Sequence, residues 1–142
     1  MILTLDASVA LKWFLQLRDN EADVGRALSI LAGVYDANIQ LVEPPHFISE
    51  VAAVLAREKP DEAHDDLLDL LSIERRTVET PDIHATALDI SIRYGQHLFD
   101  ALYHAVALHT PGAVLVTADR RYYTQARAEG QVILLANWTP EI

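Results

Sequence analysis

The sequence predicts a three-layer α/β/α fold with a central, mostly parallel sheet. Short apolar runs alternate with longer segments of helical periodicity along the 142 residues, which is the element order of sheets covered by helices on both faces. The apolar runs lack a strict alternation of apolar and polar residues, as is typical of strands buried on both faces. Hydrophobic residues make up 51% of the chain, and we expect residues 1–142 to form a single domain with a sizeable core.

The first half of the chain is predicted to contain two strands and four helices. In chain order these are a strand, two helices, a strand and two helices, over residues 1–6, 7–16, 21–33, 39–44, 46–58 and 61–74. Pro44 and Pro45 close the second strand. Pro60 separates the third and fourth helices, because proline suits the first turn of a helix.

The second half of the chain is predicted to contain three strands and three helices. In chain order these are a strand, two helices, a strand, a helix and a strand, over residues 76–80, 82–94, 98–109, 113–117, 118–130 and 131–136. Residues 101–118 carry no formal charge, which approaches the length of a membrane span. The turn sequence HTPG divides this run, so we predict a helix, a turn and a strand there and expect no membrane segment.

The charge and cysteine content restrict the classes of function. The chain has 21 acidic and 11 basic residues and a net charge of −10, whereas general nucleic-acid binders are basic. Contact with nucleic acid would therefore need a local basic patch or bound cations. There are no cysteines, which excludes disulfides and thiolate metal sites and favours a cytoplasmic location. The first residues lack a basic segment, so we expect no secretory signal.

Four acidic residues lie in apolar surroundings. Asp6 and Asp119 directly follow predicted strands, while Glu50 and Asp100 interrupt nearly apolar helices. In an open parallel sheet, ligands bind beyond the carboxyl ends of the strands at a switch point, and Asp6 and Asp119 would meet there if their strands are neighbours. Each acid also has an ordinary explanation. Asp6 or Asp119 can cap a helix, Asp100 suits a first helical turn, and Glu50 can pair with Arg57.

A cluster of these four carboxylates points to a divalent cation. Gathered in one crevice they would repel one another and retain protons, and Mg²⁺ or Mn²⁺ prefers such oxygen ligands. An ion held beside a phosphate supports phosphodiester cleavage, because it lowers the pKa of water that it binds and offsets phosphate charge. Lys12, Arg120 and Arg121 are near these acids in sequence. We predict that at least one of them contacts substrate phosphate; the alternative is that each is a solvated surface charge.

Four segments of the chain carry motifs that resemble those of a known family. The segments are LDASVALKWF, PPHFISEVAAVLA, FDALYHAVAL and VLVTADRRYY. Together they resemble the PIN domain family, and in detail the VapC-type toxins of bacterial and archaeal toxin–antitoxin pairs. The resemblance spans residues 2–136, with the motifs in the family's order. It implies an endoribonuclease that depends on Mg²⁺ or Mn²⁺.

The resemblance also implies roles for particular residues. The acidic quartet of the family falls on Asp6, Glu50, Asp100 and Asp119. Ser8 and Thr117 fall where the family commonly has hydroxyl residues, and we expect them to orient the carboxylates. Phe99 stands where tyrosine is common, so a hydroxyl is missing beside Asp100. Tyr122 and Tyr123 occupy the region where some relatives carry a further acid, which leaves open whether one or two ions bind.

The resemblance implies two protein partners, a VapB-type antitoxin and a second copy of the chain. Trp13, Phe14, Leu17 and the leucines of residues 67–71 supply apolar surface. This surface would serve as a dimer face and as a groove for an antitoxin helix; ordinary core is the alternative. The antitoxin would place a basic residue in the acidic site.

Other functions are also considered. A PIN-fold nuclease of RNA processing or repair without an antitoxin, and a non-catalytic binding module of the same fold, remain alternatives. Zinc catalysis through His104 or His109 lacks the HExxH motif, and serine hydrolase chemistry lacks a G-x-S-x-G motif. A phosphoacceptor domain would need a lysine near the end of the last strand, and Lys12 and Lys59 are the only lysines.

Overall fold

The computed structural model describes residues 1–17 and 22–140. Within these ranges the chain forms five strands, seven α-helices and two short 3-10 helices. The strands are β1 (Ile2–Leu5), β2 (Gln40–Glu43), β3 (Arg76–Thr77), β4 (Ala113–Thr117) and β5 (Val132–Leu134). The helices are α1 (Ala7–Phe14), α2 (Val24–Tyr35), α3 (Phe47–Glu58), α4 (Ala63–Ser72), α5 (Pro81–Tyr94), α6 (Leu98–Leu108) and α7 (Arg120–Ala126). The 3-10 helices are Arg127–Glu129 and Leu135–Asn137.

The five strands form one parallel sheet in the order β3-β2-β1-β4-β5. The chain moves from β1 outward to β2 and β3, and then returns to the other side of β1 for β4 and β5. The switch point therefore lies between β1 and β4, whose paired residues include Leu5 and Val116. The predicted α/β/α fold with a parallel sheet is confirmed.

Two buried clusters hold the helices against the sheet. The larger cluster joins α1, α2 and α3 to the central strands, and Trp13 belongs to it. The smaller one packs α5 and α6 around Val42 of β2. Residues 101–107 of α6 are all buried, because this helix contacts β1, β2 and β4 on one side and α5 on another. The all-round apolar composition of α6 follows from this position.

The ends of several elements differ from the predicted ones for identifiable reasons. The strand predicted over residues 76–80 is only Arg76–Thr77, because its partner β2 ends at Glu43. The last strand stops at Leu134, which pairs with the final residue of β4. The helix predicted over 118–130 begins after Asp119 and gives way to a 3-10 turn at Arg127. The start of the helix predicted over 21–33 falls partly outside the described residues.

The apolar side chains considered for a dimer face and an antitoxin groove, with ordinary core as the alternative, differ in burial. Leu17 is 95% exposed and contributes nothing to the core. Of the leucines in residues 67–71, Leu70 is fully buried, whereas Leu68 and Leu71 are exposed. In residues 1–17 and 22–140, no helix is both long and apolar enough to cross a membrane.

Candidate active site

Asp6 and Asp119 lie side by side at the switch point of the sheet. Asp6 directly follows β1 and its Oδ1 accepts a hydrogen bond from the Ser8 backbone N–H at 3.1 Å. Asp119 comes two residues after Thr117, the last residue of β4, and its Oδ1 accepts from the Tyr122 N–H at 3.0 Å. Both acids cap the helix that follows them, as expected of an ordinary capping residue. Capping does not conflict with a functional role, because the two acids also meet at the switch point. The β1–β4 pairing brings together Asp6 and Asp119, which are 113 positions apart in the sequence.

Two hydroxyl groups fix the carboxylate of Asp6. Ser8 Oγ donates to Asp6 Oδ1 and accepts from the Ala118 N–H at 3.0 Å. Thr117 Oγ1 donates to Asp6 Oδ2 and accepts from the Asp119 N–H at 3.0 Å. The two oxygens of Asp6 are therefore oriented by residues from both sides of the switch point, and Thr117 connects Asp6 to the backbone of Asp119.

Burial and neighbouring charges raise the pKa values of Asp6 and Asp100 in the acidic crevice at the switch point. Asp6 is only 9% exposed, and burial, together with the charges of Asp100 and Asp119, raises its pKa to about 6 despite the hydrogen bonds from Ser8 and Thr117. Burial also raises the pKa of Asp100, and the charges of Glu50 and Asp119 add to the rise. Asp6, Asp100 and Asp119 thus lie within electrostatic reach of one another or of a shared neighbour, and Glu50 lies within reach of Asp100.

Glu50 is held by a tyrosine of the neighbouring helix. Tyr103 of α6 donates from its hydroxyl to Glu50 Oε1 at 2.5 Å, and His46 Nε2 lies 3.5 Å from the same oxygen. Burial and the adjacent carboxylate raise the pKa of Tyr103, so its hydroxyl keeps its proton and donates. Arg57, considered as a partner of Glu50, instead lies 3.3 Å from Glu58.

A fifth acid, Glu43, lies beside these residues and was not predicted from the sequence. This last residue of β2 is fully buried, and its Oε2 accepts from the Leu5 N–H at 2.9 Å. Its Oε1 has no hydrogen-bond partner among the described residues. Burial raises the pKa of Glu43 well above 4.5, and the charge of Asp6 adds to the rise. The available signal was its position, since Glu43 ends a buried strand just as Asp6 and Asp119 follow theirs.

The basic residues differ from one another in exposure. Lys12 is 9% exposed, so the alternative that it is a solvated surface charge was wrong. Arg120 and Arg121 are exposed and occupy the first turn of α7, directly after Asp119. The predicted contact of these residues with phosphate stays a prediction.

The histidines considered for zinc have structural contacts. His104 is buried, its Nε2 donates to the Gly130 carbonyl at 2.8 Å, and its Nδ1 lies 2.8 Å from the Tyr122 hydroxyl. His109 Nε2 lies 2.6 Å from Thr86 Oγ1. Neither histidine faces a second metal-binding side chain in these contacts.

The donors in the crevice fit a hard divalent cation by their chemistry. Across residues 1–17 and 22–140, no three acidic or histidine side chains are arranged as a ready set of metal ligands. Mg²⁺ does not need such a cage, since proteins usually hold it through one or two carboxylates while it keeps several waters. Carboxylates whose charges raise one another's pKa are stabilised by a cation placed between them. The pKa values of Asp6 and Asp100 are raised in this way, in both cases partly by the charge of Asp119.

Comparison with protein families identifies the class of protein. The family model described as the PIN domain matches residues 3–128, and the chain belongs to this family. PIN domains are nucleases and generally use divalent metals. No curated protein matches the chain in sequence.

Solved structures of toxins and toxin–antitoxin complexes share the fold. VapC20 from Mycobacterium tuberculosis, described as a sarcin–ricin loop cleaving toxin, is 20% identical with a TM-score of 0.65, over 93% of this chain and 97% of that one. VapBC2 from Rickettsia felis, bound to a promoter DNA fragment, is 15% identical with a TM-score of 0.60, over 94% and 97%. FitAB bound to a DNA fragment is 16% identical with a TM-score of 0.62, over the full length of both chains. At these identities the likeness concerns the fold.

Proposed function

We propose that this protein is an Mg²⁺- or Mn²⁺-dependent endoribonuclease and the toxin of a VapBC-type toxin–antitoxin module. The observation that carries the proposal is the meeting of acidic residues at the switch point of a PIN-domain sheet, where the charges of Asp100 and Asp119 act on Asp6 and the charges of Glu50 and Asp119 act on Asp100. Such a group attracts a divalent cation, and the cation supplies the attraction for a phosphodiester that the net charge of −10 does not.

The residues of the chain have separate tasks in this proposal. Asp6, Glu50, Asp100 and Asp119 would hold the ion, which when bound would supply Lewis-acid chemistry toward water and phosphate. Ser8 and Thr117 keep the two oxygens of Asp6 in place by the hydrogen bonds described above. Rigid orientation of metal ligands by such partners typically affects metal affinity and activity by about 10- to 100-fold.

The remaining polar groups act at the edges of the site. Tyr103 orients Glu50 through their hydrogen bond of 2.5 Å. Arg120 and Arg121 contact the phosphates beside the scissile bond, because they are exposed at the start of α7 next to Asp119. Lys12 is proposed to contribute charge from the buried side of α1.

A cleft between α1, α2 and α4 supports the proposed antitoxin. It has a volume of about 880 Å³, and its apolar lining includes Trp13, Leu31 and Ile73. Among the residues that the structure describes, the cleft is also lined by three acidic residues and one lysine, Lys59, which pairs with Glu62 and Asp66. This part of its lining therefore carries a net negative charge. An amphipathic helix with basic residues fits such a groove, and a basic residue beyond that helix would neutralise the acidic crevice.

We also propose a cytoplasmic homodimer. The reasoning for the cytoplasm is the absence of cysteine. Leu88 and Ile92 are exposed on successive turns of α5, and a second copy of the chain would cover them. Light scattering of the purified protein and of the Ile92→Glu variant tests this, since we expect a dimer that the charge converts to a monomer.

The nuclease is tested by RNA cleavage with matched variants. Wild-type protein and Asp100→Asn are incubated with total bacterial RNA in Mg²⁺, in Mn²⁺ and in EDTA, and the RNA ends are mapped. Asp89→Asn is the control, because Asp89 is an exposed acid of α5. We expect cleavage by wild type and Asp89→Asn only with metal, and none by Asp100→Asn. Equal cleavage by Asp100→Asn would contradict the proposal.

Growth on expression separates the toxin from the alternatives. Wild type should arrest bacterial growth and Asp100→Asn should not. Cleavage without growth arrest would favour a nuclease of RNA processing, and absence of both would favour a non-catalytic binding module.

A further inference from the structure

A row of aromatic rings lies beside the acidic crevice. Phe99 directly precedes Asp100 and is 48% exposed. Its ring centroid lies 5.3 Å from that of His46 and 5.1 Å from that of His97. The His46 ring in turn lies 4.6 Å from that of Tyr103, the residue that holds Glu50. Phe99 therefore offers an open ring face at the edge of the proposed nuclease site.

Phe99 also forms one wall of a small cleft. The cleft has a volume of about 190 Å³, and its other apolar walls come from Pro45, Val78, Ile83 and Leu102. Two polar side chains, Glu79 and His84, line it as well. They are about half exposed, with His84 Nε2 3.5 Å from Glu79 Oε2. We call this the aromatic cleft.

The aromatic cleft is continuous with the acidic crevice. His46 lines the cleft, its Nε2 donates to the Phe99 carbonyl at 3.0 Å, and the same ring nitrogen is 3.5 Å from Glu50. A group in the cleft would thus lie one side chain away from the acids. None of the tasks assigned to the acids uses Phe99, Glu79 or His84.

We propose that the aromatic cleft binds one unpaired nucleobase of the RNA next to the scissile phosphate, with the base stacked on Phe99 and its polar edge facing Glu79 and His84. This rests on the proposed function, because the acids are taken to act on RNA. Single-stranded RNA is commonly read by splaying out bases that stack on aromatic side chains and bond through their edges. A cleft of about 190 Å³ suits a planar ring and is too small for a helix.

Binding of short RNA to a non-cleaving protein tests the proposal. Asp119→Asn serves as the background, and anisotropy measures its affinity for adenosine, cytidine and uridine decamers. In this background we expect Phe99→Ala to weaken binding about tenfold, as loss of one stacked base does, and Phe99→Trp to retain it. Tyr35→Ala is the control, since Tyr35 is an exposed aromatic residue at the end of α2 that does not line the aromatic cleft and should change nothing.

A decamer of abasic ribose phosphates separates stacking from other effects. Phe99→Ala should leave its affinity unchanged. We expect the preference among the three base-bearing decamers to change by about fivefold in Glu79→Gln and in His84→Ala, because the loss of one hydrogen bond changes affinity by about this factor. Equal binding of Phe99→Ala and its background to every decamer would overturn the proposal and leave Phe99 for a protein partner. Equal weakening for the abasic decamer, or no detectable binding of any decamer, would also overturn it.

The proposed function can fail independently of this proposal. If the wild type does not cleave RNA but decamer binding depends on Phe99, the base site stands and the nuclease falls. If the wild type cleaves RNA and Phe99→Ala cleaves and binds equally well, the nuclease stands and the base site falls.

Discussion

The ionised carboxylate of Asp6 destabilises the metal-free protein. Its pKa is raised from 3.8 to about 6, mainly by burial. Because one pKa unit corresponds to 1.36 kcal/mol, this rise corresponds to about 3 kcal/mol of folding stability. Since the pKa is higher in the folded protein, the contribution is fully present below pH 3.8 and is lost as the pH rises through about 6. Asp6→Asn has no such group to ionise.

The difference in unfolding free energy between Asp6→Asn and wild type should therefore grow by about 2.4 kcal/mol from pH 4 to pH 7.5, in favour of the variant, because pH 4 already lies just above the unfolded pKa of 3.8. Comparing two pH values cancels the fixed effect of the asparagine on the hydrogen bonds from Ser8 and Thr117. As the pH rises, both proteins also lose stability when Glu43 and Asp100 ionise, because the pKa values of these groups are raised as well. The quantity to measure is therefore the difference in unfolding free energy between the two proteins.

Urea unfolding in EDTA at several pH values between 4 and 7.5 measures this difference. Asp89→Asn is the control and should follow the wild type, because Asp89 is exposed. Adding Mg²⁺ at pH 7.5 should stabilise the wild type by about 2.7 kcal/mol at one hundred times the dissociation constant, and should stabilise Asp6→Asn less. A difference that changes by less than about 1 kcal/mol, or in the opposite direction, would refute the argument from burial and charge.

Three further substitutions test neighbouring contacts. Tyr103→Phe removes the hydrogen bond of 2.5 Å to Glu50 and should slow RNA cleavage about tenfold with little change in melting temperature; an unchanged rate would exclude a role in orienting Glu50. Thr117→Val removes the hydroxyl bonded to Asp6 and should weaken Mn²⁺ binding in calorimetry by about 10- to 100-fold, whereas unaltered affinity would contradict it. Glu43→Gln should be more stable than wild type at pH 7.5 but not at pH 4 in urea unfolding, because burial raises the pKa of Glu43; equal stability at both would disprove this.

The order and type of the elements could be predicted because they depend on local patterns. Strands β1 and β4 are short apolar runs between turns, and α6 is recognisable by its continuous apolar sequence. The length of a strand depends on the strand that it pairs with, and the sequence alone does not show which strands pair. The last strand stops at Leu134 because β4 ends opposite it at Thr117.

The candidate site was partly predictable for a similar reason. Asp6 and Asp119 could be placed by their positions after strands, which the sheet topology brings together. Tyr103 and Glu50 are 53 positions apart in the sequence, and their contact depends on how α6 lies beside α3 in the fold. Glu43 was missed because its burial arises from its place beside β1, where the Leu5 amide binds it.

The most direct test of the central claim is the location of Mn²⁺ in crystals of the wild-type protein. An anomalous difference map from crystals grown with Mn²⁺ shows where the ion binds. We predict a peak in the crevice at the end of β1 and β4, coordinated by carboxylate oxygens of Asp6, Asp100 or Asp119, and absent from crystals of Asp6→Asn. A peak bound only to other residues, or no peak at saturating Mn²⁺, would contradict the claim that these acids gather to hold a cation.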